Sequence, residues 1–332
     1  DVSLGFLMSE WTNVIEPRGL GSWEAYRNAP RAGRGVALGA RQRRAVWTVV
    51  EAVLEELEQQ GELTWTLLCH RVAGALEERG PRFTHIVSDE AQDFGPAELR
   101  LLRTLVAPGP DDLMLCGDAG QRVFRGRSSW LATGIDVRGR STRLKINYRT
   151  SQDIRQFADA LMPPLLADEE GESESRRTLS RFRGATPDVR RFGTLADEVK
   201  GVAAWIGERL TEGLQPGEVA VLTRTQPGRR TQLLAEACGR EIQVLETQVT
   251  PDPARLVMTT MHRAKGLEFR AVVLMDISDD QVPLRSLLNR SDDVVDREAI
   301  LEQERQLLYV AATRAREALM VSYVGEPSPW LT

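Results

Sequence analysis

Apolar side chains in the first 82 residues recur at the spacing of an α-helix. The clearest segment spans residues 42–60, where apolar side chains return every fourth position. These positions are Ala45, Val49, Val53 and Leu57. A second helix is predicted from about Thr64 to Glu78, and no strand pattern of convincing length precedes Phe83. Residues 1–82 are therefore predicted to form a helical domain.

Beyond Phe83 the periodicity changes to short apolar runs that alternate with helical segments. The first series contains the predicted strands HIVSD (85–89) and LMLCGD (113–118), and predicted helices that end at Val106 and span 151–162. The second contains predicted strands at 189–192, 219–223, 256–260 and 271–276, with helices over 196–210 and up to Cys238. An acidic, serine-rich run over 167–175 is predicted as a loop. Two such series predict an α/β protein with two domains built on mainly parallel sheets, whose ligands bind at the carboxyl ends of the strands.

The composition is that of an ordinary globular protein, with 42% hydrophobic and 27% charged residues among 332, and the length fits two or three domains. No apolar run approaches the length of a membrane span, and the first residues carry neither a basic segment nor a cleavage pattern. A cytoplasmic protein with no membrane partner is therefore expected. The three cysteines and three histidines show no metal-ligand spacing, so neither disulfides nor structural zinc is expected.

The net charge is −5, but the basic residues are clustered and nearly all are arginine, since only three of the 43 are lysines. The clusters lie at 31–44, 122–127 and 138–145. Each has the charge to meet nucleic-acid phosphates, yet any single cluster is explained at least as well by a solvated surface. Charge alone therefore does not identify a nucleic-acid-binding protein.

Carboxylates crowd the segment that follows the first predicted strand. The sequence SDEAQD (88–93) places three acids in five positions. Asp93 precedes a helical pattern and is explained as the N-cap of that helix. Asp89 and Glu90 are not needed for a cap. Acids at the end of a buried strand are typical of a Mg²⁺ site in phosphoryl transfer.

A second polar turn, GDAGQ (117–121), follows the next predicted strand. Its glycines would let the backbone approach a ligand closely. Asp118 and Gln121 would then offer a carboxylate and an amide to a phosphate or to its attacking water. A Gly-Asp pair by itself is typical of an ordinary turn, so this segment gains meaning only from its neighbours.

Three further segments make the combination specific: LKINYRTS (144–151), MTTMHRAKGLEF (258–269) and RQLLYVAATRAREAL (305–319). Together with the two polar turns, and in this order, they resemble the motifs of UvrD/Rep-like superfamily 1 DNA helicases. The segments similar to helicase motifs II to VI are 89–93, 117–121, 147–149, 262–269 and 309–316. Any one match is weak, but chance does not account for five in order.

The resemblance implies an ATP site with Mg²⁺. Asp89 would hold the Mg²⁺, and Glu90 would activate the attacking water. Gln121 would sense the γ-phosphate from the first domain. Arg149 and Arg314 would reach that phosphate from the second domain, as arginine fingers do.

Motifs IV and V would supply the remaining nucleotide contacts. Tyr148 would stack on the adenine and Glu268 would hold the ribose, with Lys265 and Gly266 in the same nucleotide site. Without the neighbouring motifs, Tyr148 would be interpreted as a core aromatic and Arg314 as part of an interdomain salt bridge.

The nucleic-acid side of the resemblance is less complete. Thr260, His262 and Phe124 would grip backbone phosphates and stacked bases. Gly126 occupies a position at which the family usually has an aromatic residue. Either Phe124 or Trp130 is therefore the stacking residue, or neither is.

The chain departs from the family in the length of one segment. Thr150 and Val257 are 107 positions apart, too few for the 2B domain that the family inserts there. The resemblance then implies a helical 1B-like domain over 1–82, a partial RecA-like domain 1A over 83–142 and a RecA-like domain 2A over 143–332.

The phosphate loop of the family, G-x-x-x-x-G-K-[S/T], does not occur in the chain. The family places it before 1B, so the chain is expected to be a piece of a larger polypeptide rather than a degenerate helicase. The P-loop segment would be supplied in cis or in trans, and the chain alone is expected to hydrolyse ATP negligibly.

Two functions remain open. The first is an ATP-dependent translocase or helicase on single-stranded nucleic acid, by resemblance DNA with 3′ to 5′ polarity, that hydrolyses ATP in the cleft between 1A and 2A. The second is a non-hydrolysing scaffold that keeps the helicase fold to bind nucleic acid or a partner protein. The absent P-loop supports the second, and the retained hydrolytic residues support the first.

Overall fold

A computed structural model describes residues 2–31, 34, 37–121, 130–163, 165–167, 173–175, 179–246, 249–289 and 294–331. The chain forms two compact units. Unit 1 comprises Asp1–Ser141, Ala167–Glu172 and Ser286–Leu301. Unit 2 comprises Thr142–Leu166, Ser173–Arg285 and Glu302–Thr332. The domain boundaries inferred from the sequence stay predictions.

Unit 1 begins with helices, as the apolar periodicity predicts. They are α1 (Leu4–Glu10), α2 (Trp23–Asn28), α3 (Ala40–Gln60) and α4 (Trp65–Arg79). Hydroxyl side chains cap three of them: Ser3, Ser22 and Thr64 each accept a hydrogen bond from the backbone N–H three residues later. The two helices predicted over 42–60 and 64–78 are confirmed.

A buried ion pair organises the helical part of unit 1. Glu10, at the end of α1, is fully buried and accepts hydrogen bonds from the Tyr26 hydroxyl at 2.9 Å and from two nitrogens of Arg31 at 2.8 Å each. Arg34 in turn pairs with Asp296 of the segment 286–301. These bonds tie a late segment of the chain to the N-terminal helices.

The remainder of unit 1 contains a parallel pair of strands, β1 (Ile86–Ser88) and β2 (Leu113–Leu115), with α5 (Pro96–Leu105) between them in sequence. The N-cap of α5 is Gly95, whose backbone N–H donates to the Glu98 carboxylate at 3.1 Å. The sequence-based assignment of Asp93 as the cap is therefore wrong. Asp93 belongs to a 3₁₀ turn over Ala91–Asp93, because the chain makes that extra turn before the helix begins.

Unit 2 opens with α6 (Gln152–Leu161), capped by Ser151, and with two short strand pairs. β3 (Ile146–Asn147) pairs in parallel with β6 (Leu179–Ser180), and β4 (Leu165–Ala167) pairs with β5 (Ser173–Ser175). The loop predicted over 167–175 is thus corrected at both ends, because strand pairing overrides its polar composition. Residues 168–172 lie outside the described part of the chain.

A six-stranded sheet forms the centre of unit 2. Its strands are β7 (Asp188–Phe192), β8 (Val219–Thr223), β9 (Ile242–Val244), β10 (Leu256–Thr260), β11 (Phe269–Leu274) and β12 (Ala315–Val324). Their order is β7-β12-β11-β8-β10-β9, and every pairing is parallel. This confirms the α/β class. The sequence analysis did not predict β9 or β12.

Two helices, α7 (Leu195–Thr211) and α8 (Arg229–Cys238), pack apolar side chains into the core of this sheet. Further along the chain are α9 (Arg285–Leu288) and α10 (Val294–Ala312), and the boundary between the two units falls within α10, at Glu302. All five residues of β8 and of β10 are buried, as expected for parallel strands covered on both faces. In the described ranges, no helix combines the length and apolar character needed to span a bilayer.

Candidate functional site

The acidic turn (residues 89–93) leaves the carboxyl end of β1 in unit 1. The strand ladder continues just beyond the two strands, since Cys116 N–H donates to the Ser88 carbonyl and Ala91 N–H donates to the Cys116 carbonyl, both at 2.8 Å. Asp89 and Glu90 lie between these two bonds and are exposed. Glu90 has a φ of 54°, a left-handed conformation that few residues other than glycine adopt.

Gln92 links the acidic turn to the next strand. Its side chain is buried, its Nε2 donates to a carboxylate oxygen of Glu90, and its Oε1 accepts from the Asp118 N–H at 3.0 Å. Gly117 makes room for this contact, because a Cβ there would lie 2.5 Å from the Gln92 Oε1. The sequence analysis gave Gln92 no separate role, since a glutamine in a polar turn carries no signal of burial.

The Gly-Asp turn (residues 117–121) is held by its own carboxylate. Asp118 accepts from the Gly120 N–H at 2.9 Å and from the Gln121 side-chain amide at 3.0 Å. The two polar turns predicted from the sequence therefore lie side by side at the carboxyl ends of β1 and β2. The exposed carboxylate of Asp89 offers oxygen atoms, the ligand type that Mg²⁺ prefers.

The motif IV turn in unit 2 is built around Asn147. Its Oδ1 accepts from the backbone N–H groups of Arg149 at 2.7 Å and Thr150 at 3.1 Å. Tyr148 is 60% exposed, and the Arg181 guanidinium lies 5.6 Å from its ring centroid. The interpretation of Tyr148 as a core aromatic is thus excluded, and its exposed ring is available for stacking.

Glu268, in motif V, lies next to this turn. The Arg149 Nε lies 3.0 Å from the Glu268 carboxylate, and both side chains are substantially exposed. The chain reaches Glu268 through Gly266, whose φ of 82° is one that side-chain-bearing residues rarely adopt. Lys265, just before it, is partly exposed.

Arg314 lies in the turn between α10 and β12 and is 3% exposed. Its Nε donates to the Val310 carbonyl at 3.1 Å and its Nη1 to the Leu267 carbonyl at 3.2 Å. The sequence analysis expected Arg314 to reach out of the second domain towards a phosphate, but packing against motif V buries its guanidinium here. Arg149, Glu268 and Arg314, from three segments distant in sequence, nevertheless converge within unit 2.

The predicted nucleic-acid residues of motif V lie at the end of β10. Thr260 is buried, and its hydroxyl accepts from the Arg263 N–H at 3.4 Å. His262 is partly buried, and burial lowers its pKa, with a further lowering by the Arg224 guanidinium. Arg224 makes a buried pair with Glu304, with bonds of 2.8 Å and 2.5 Å. This pair was not predicted, since neither residue belongs to a recognised motif segment.

The two candidate stacking aromatics have different outcomes. Trp130 is 8% exposed and packs with Ala91, Leu99 and Ile135 in the core of unit 1. Its assignment as a base-stacking residue is corrected, because the ring is buried in the core. Phe124 lies outside the described residues.

Comparisons with known proteins agree with the motif pattern. The family of UvrD-like helicase C-terminal domains matches residues 239–326. The ATP-dependent DNA helicase UvrD2 of Mycobacterium tuberculosis is 24% identical over 353 aligned positions, covering 77% of this chain and 50% of the relative. DNA helicase II of Haemophilus influenzae is 34% identical over 94 residues, covering 28% of this chain and 12% of the relative.

One similar solved structure is the C-terminal domain of a possible DNA helicase from Lactobacillus plantarum. It is 21% identical, covers 56% of this chain and 92% of its own, and has a TM-score of 0.39. The chain spans about half the length of the first relatives it matches. Its sequence is similar to those of UvrD/Rep-like DNA helicases, and residues 239–326 match the family of UvrD-like helicase C-terminal domains.

Proposed function

We propose that the complete protein is an ATP-dependent translocase or helicase that moves 3′ to 5′ along single-stranded DNA. The observation that carries this proposal is the convergence of Arg149, Glu268 and Arg314 in unit 2, although these residues come from three separate segments. An exposed arginine beside a carboxylate and a second, buried arginine is a suitable arrangement for recognising a nucleotide.

The residues of unit 1 would carry the chemistry of hydrolysis. Glu90 would accept the proton of the attacking water, and Gln121 would orient that water or report on the γ-phosphate. Asp89 would hold Mg²⁺, which when bound neutralises charge on the phosphates. Tyr148 would stack on the adenine, with Lys265 and Gly266 beside it, and Arg149 would contact the γ-phosphate.

The P-loop segment is proposed to come from outside these 332 residues, in cis or in trans. The β1-β2 sheet offers a surface for it. Val87 and Met114, which are cross-strand partners, are 74% and 58% exposed. Parallel sheets are normally covered on both faces. The exposure of Val87 and Met114 is therefore consistent with a further segment that packs on this face of the sheet.

The test is nucleic-acid-stimulated ATP hydrolysis by the longest native form, measured with single-stranded DNA and, separately, with single-stranded RNA. Glu90→Gln should keep ATP binding but lower turnover on the order of 10²-fold or more, because an amide cannot accept the proton of water. Glu55→Gln, an exposed residue of α3, is the matched control. Turnover of Glu90→Gln within a few-fold of the parent would remove Glu90 from the mechanism.

The alternative is a non-hydrolysing scaffold, which the absence of a P-loop sequence favours. It predicts nucleic-acid or protein binding by the longest native form, without stimulated hydrolysis. The chain of 332 residues alone should show no turnover under either proposal, so only the longer form separates them. A cytoplasmic location remains a prediction, which fractionation of the source cells would test.

A further inference from the structure

Gln92 is a polar side chain buried within unit 1. It is only 3% exposed. A buried amide costs free energy unless both of its ends are hydrogen-bonded. Both ends are bonded here, to the Glu90 carboxylate on one side and to the Asp118 N–H on the other.

The bonds of Gln92 continue into the Gly-Asp turn. Asp118 receives the amide of Gln121 on its carboxylate at 3.0 Å and accepts from the Gly120 N–H at 2.9 Å. A contiguous series of hydrogen bonds therefore runs from Glu90 through Gln92 and Asp118 to Gln121. It joins two turns that are separated by more than 20 residues of chain, including α5.

The geometry around Gly117 shows that the contact is tightly fitted. A Cβ at this position would lie 2.5 Å from the Gln92 Oε1, 3.2 Å from the Gln92 backbone nitrogen and 3.3 Å from the Ala91 nitrogen. The Gly-Asp turn can approach the acidic turn this closely only because residue 117 has no side chain.

We propose that Gln92 is a positioning residue that couples the Glu90 carboxylate to the turn carrying Gln121. The proposal rests on the proposed function, in which Glu90 accepts a proton and Gln121 faces the γ-phosphate. Gln92 fixes the carboxylate by donating to it and fixes the turn by accepting from Asp118. The orientation of the Glu90 carboxylate thereby depends on the position of the Gly-Asp turn.

The hydrogen bonds of Gln92 to the Glu90 carboxylate and from the Asp118 N–H are called the bridge below. Two substitutions separate the contributions of these two bonds. Gln92→Met keeps the length of the side chain and removes both bonds. Gln92→Glu keeps an acceptor for the Asp118 N–H but loses the donor to Glu90 and places a second carboxylate beside it. Gly117→Ala is a third variant, which leaves Gln92 intact and displaces its amide by the added methyl group.

Amide hydrogen exchange tests the bridge in the 332-residue chain without any need for activity. Exchange of the Asp118 N–H should accelerate on the order of tenfold in Gln92→Met, the factor that one hydrogen bond of typical net strength contributes. In Gln92→Glu it should stay close to the parent rate. Unchanged exchange in Gln92→Met would overturn the bridge.

Steady-state hydrolysis in the longer, P-loop-containing form tests the positioning role. Both Gln92 variants should lower kcat on the order of 10- to 100-fold, as small misplacements of catalytic groups do, with KM for ATP within about twofold of the parent. Gln243→Met is the control, because Gln243, like Gln92, uses both ends of its amide: its Oε1 accepts from the Asp252 N–H at 2.7 Å and its Nε2 donates to the Thr250 carbonyl at 3.2 Å.

The outcomes are distinguishable. A kcat within about twofold of the parent in both Gln92 variants, or a loss equal to that of Gln243→Met, would make Gln92 merely structural and overturn the proposal. Gly117→Ala should reproduce the kcat loss even if a Gln92 variant fails to fold. Absence of hydrolysis by the parent long form would refute the proposed function and the positioning role together, while hydrogen exchange would still decide whether the bridge exists.

Discussion

The left-handed backbone of Glu90 leads to a prediction that can be tested in this chain alone. Glu90 has a φ of 54° and is the second residue after the end of β1 (Ile86–Ser88). Strain of this kind is concentrated at functional sites. Replacing Glu90 with glycine and, separately, with alanine removes the carboxylate and its bond from Gln92 in both variants. The difference between them therefore isolates the backbone conformation.

The magnitude follows from two opposing terms. A left-handed conformation costs an L-residue about 1–2 kcal/mol, whereas glycine loses about 0.5–1 kcal/mol more conformational entropy than alanine on folding. Glu90→Gly should thus be more stable than Glu90→Ala by about 0.75 kcal/mol, the difference between the midpoints of these two ranges. At Glu55, an exposed position inside α3, the order should reverse, with glycine about 1 kcal/mol less stable than alanine.

Urea denaturation followed by tryptophan fluorescence measures these differences. Trp130 packs with Ala91, the residue after Glu90, so its exposure on unfolding of this core contributes to the signal, together with that of the other six tryptophans. Equal m-values among the four variants would show that the midpoints reflect stability. If alanine proved as stable as glycine at position 90, or if positions 90 and 55 gave the same order, Glu90 would not hold a left-handed conformation.

Three further predictions concern unit 2. Glu304→Leu leaves Arg224 buried without its partner and should destabilise unit 2 by about 3–5 kcal/mol. Asp136→Ala, in the exposed pair with Arg138, should leave the urea midpoint nearly unchanged. Burial and Arg224 lower the pKa of His262, so the folded state resists protonation of this side chain. The free energy of unfolding should therefore fall as the pH drops below the pKa of His262 in the unfolded chain, about 6.5. His262→Gln should flatten this fall, measured as urea midpoints against pH, and His85→Gln should not. Arg314→Ala should lower stimulated hydrolysis by about 10³-fold or more. Because it removes the Arg314 hydrogen bonds to the Val310 and Leu267 carbonyls, it should also lower the melting temperature, with exposed Arg255→Ala as the control; full activity of Arg314→Ala would contradict its role.

The strands of unit 2 show which parts of a fold the local sequence determines. β8 and β10 were predicted over the observed residues, because a strand buried on both faces is a continuous apolar run between polar segments. β12 was missed. Its first residues, AREAL, follow α10 after only a two-residue turn and have the composition of a helix. Pairing with β7 and β11 makes this segment a strand, which no local pattern encodes.

The candidate site residues also divide into features that the sequence determined and features that only the tertiary structure decided. The sequence by itself determined the α/β class, the helical beginning and the order of the motif residues, because periodicity, spacing and residue chemistry are properties of neighbouring positions. Only the tertiary structure decided that Arg314 is buried against the motif V backbone and that Trp130 packs in the core. It also decided that Gln92 accepts a hydrogen bond from the Asp118 N–H, 26 residues away. Each of these depends on contacts between distant segments, and such contacts are fixed by how the elements pack rather than by the propensity of any one of them.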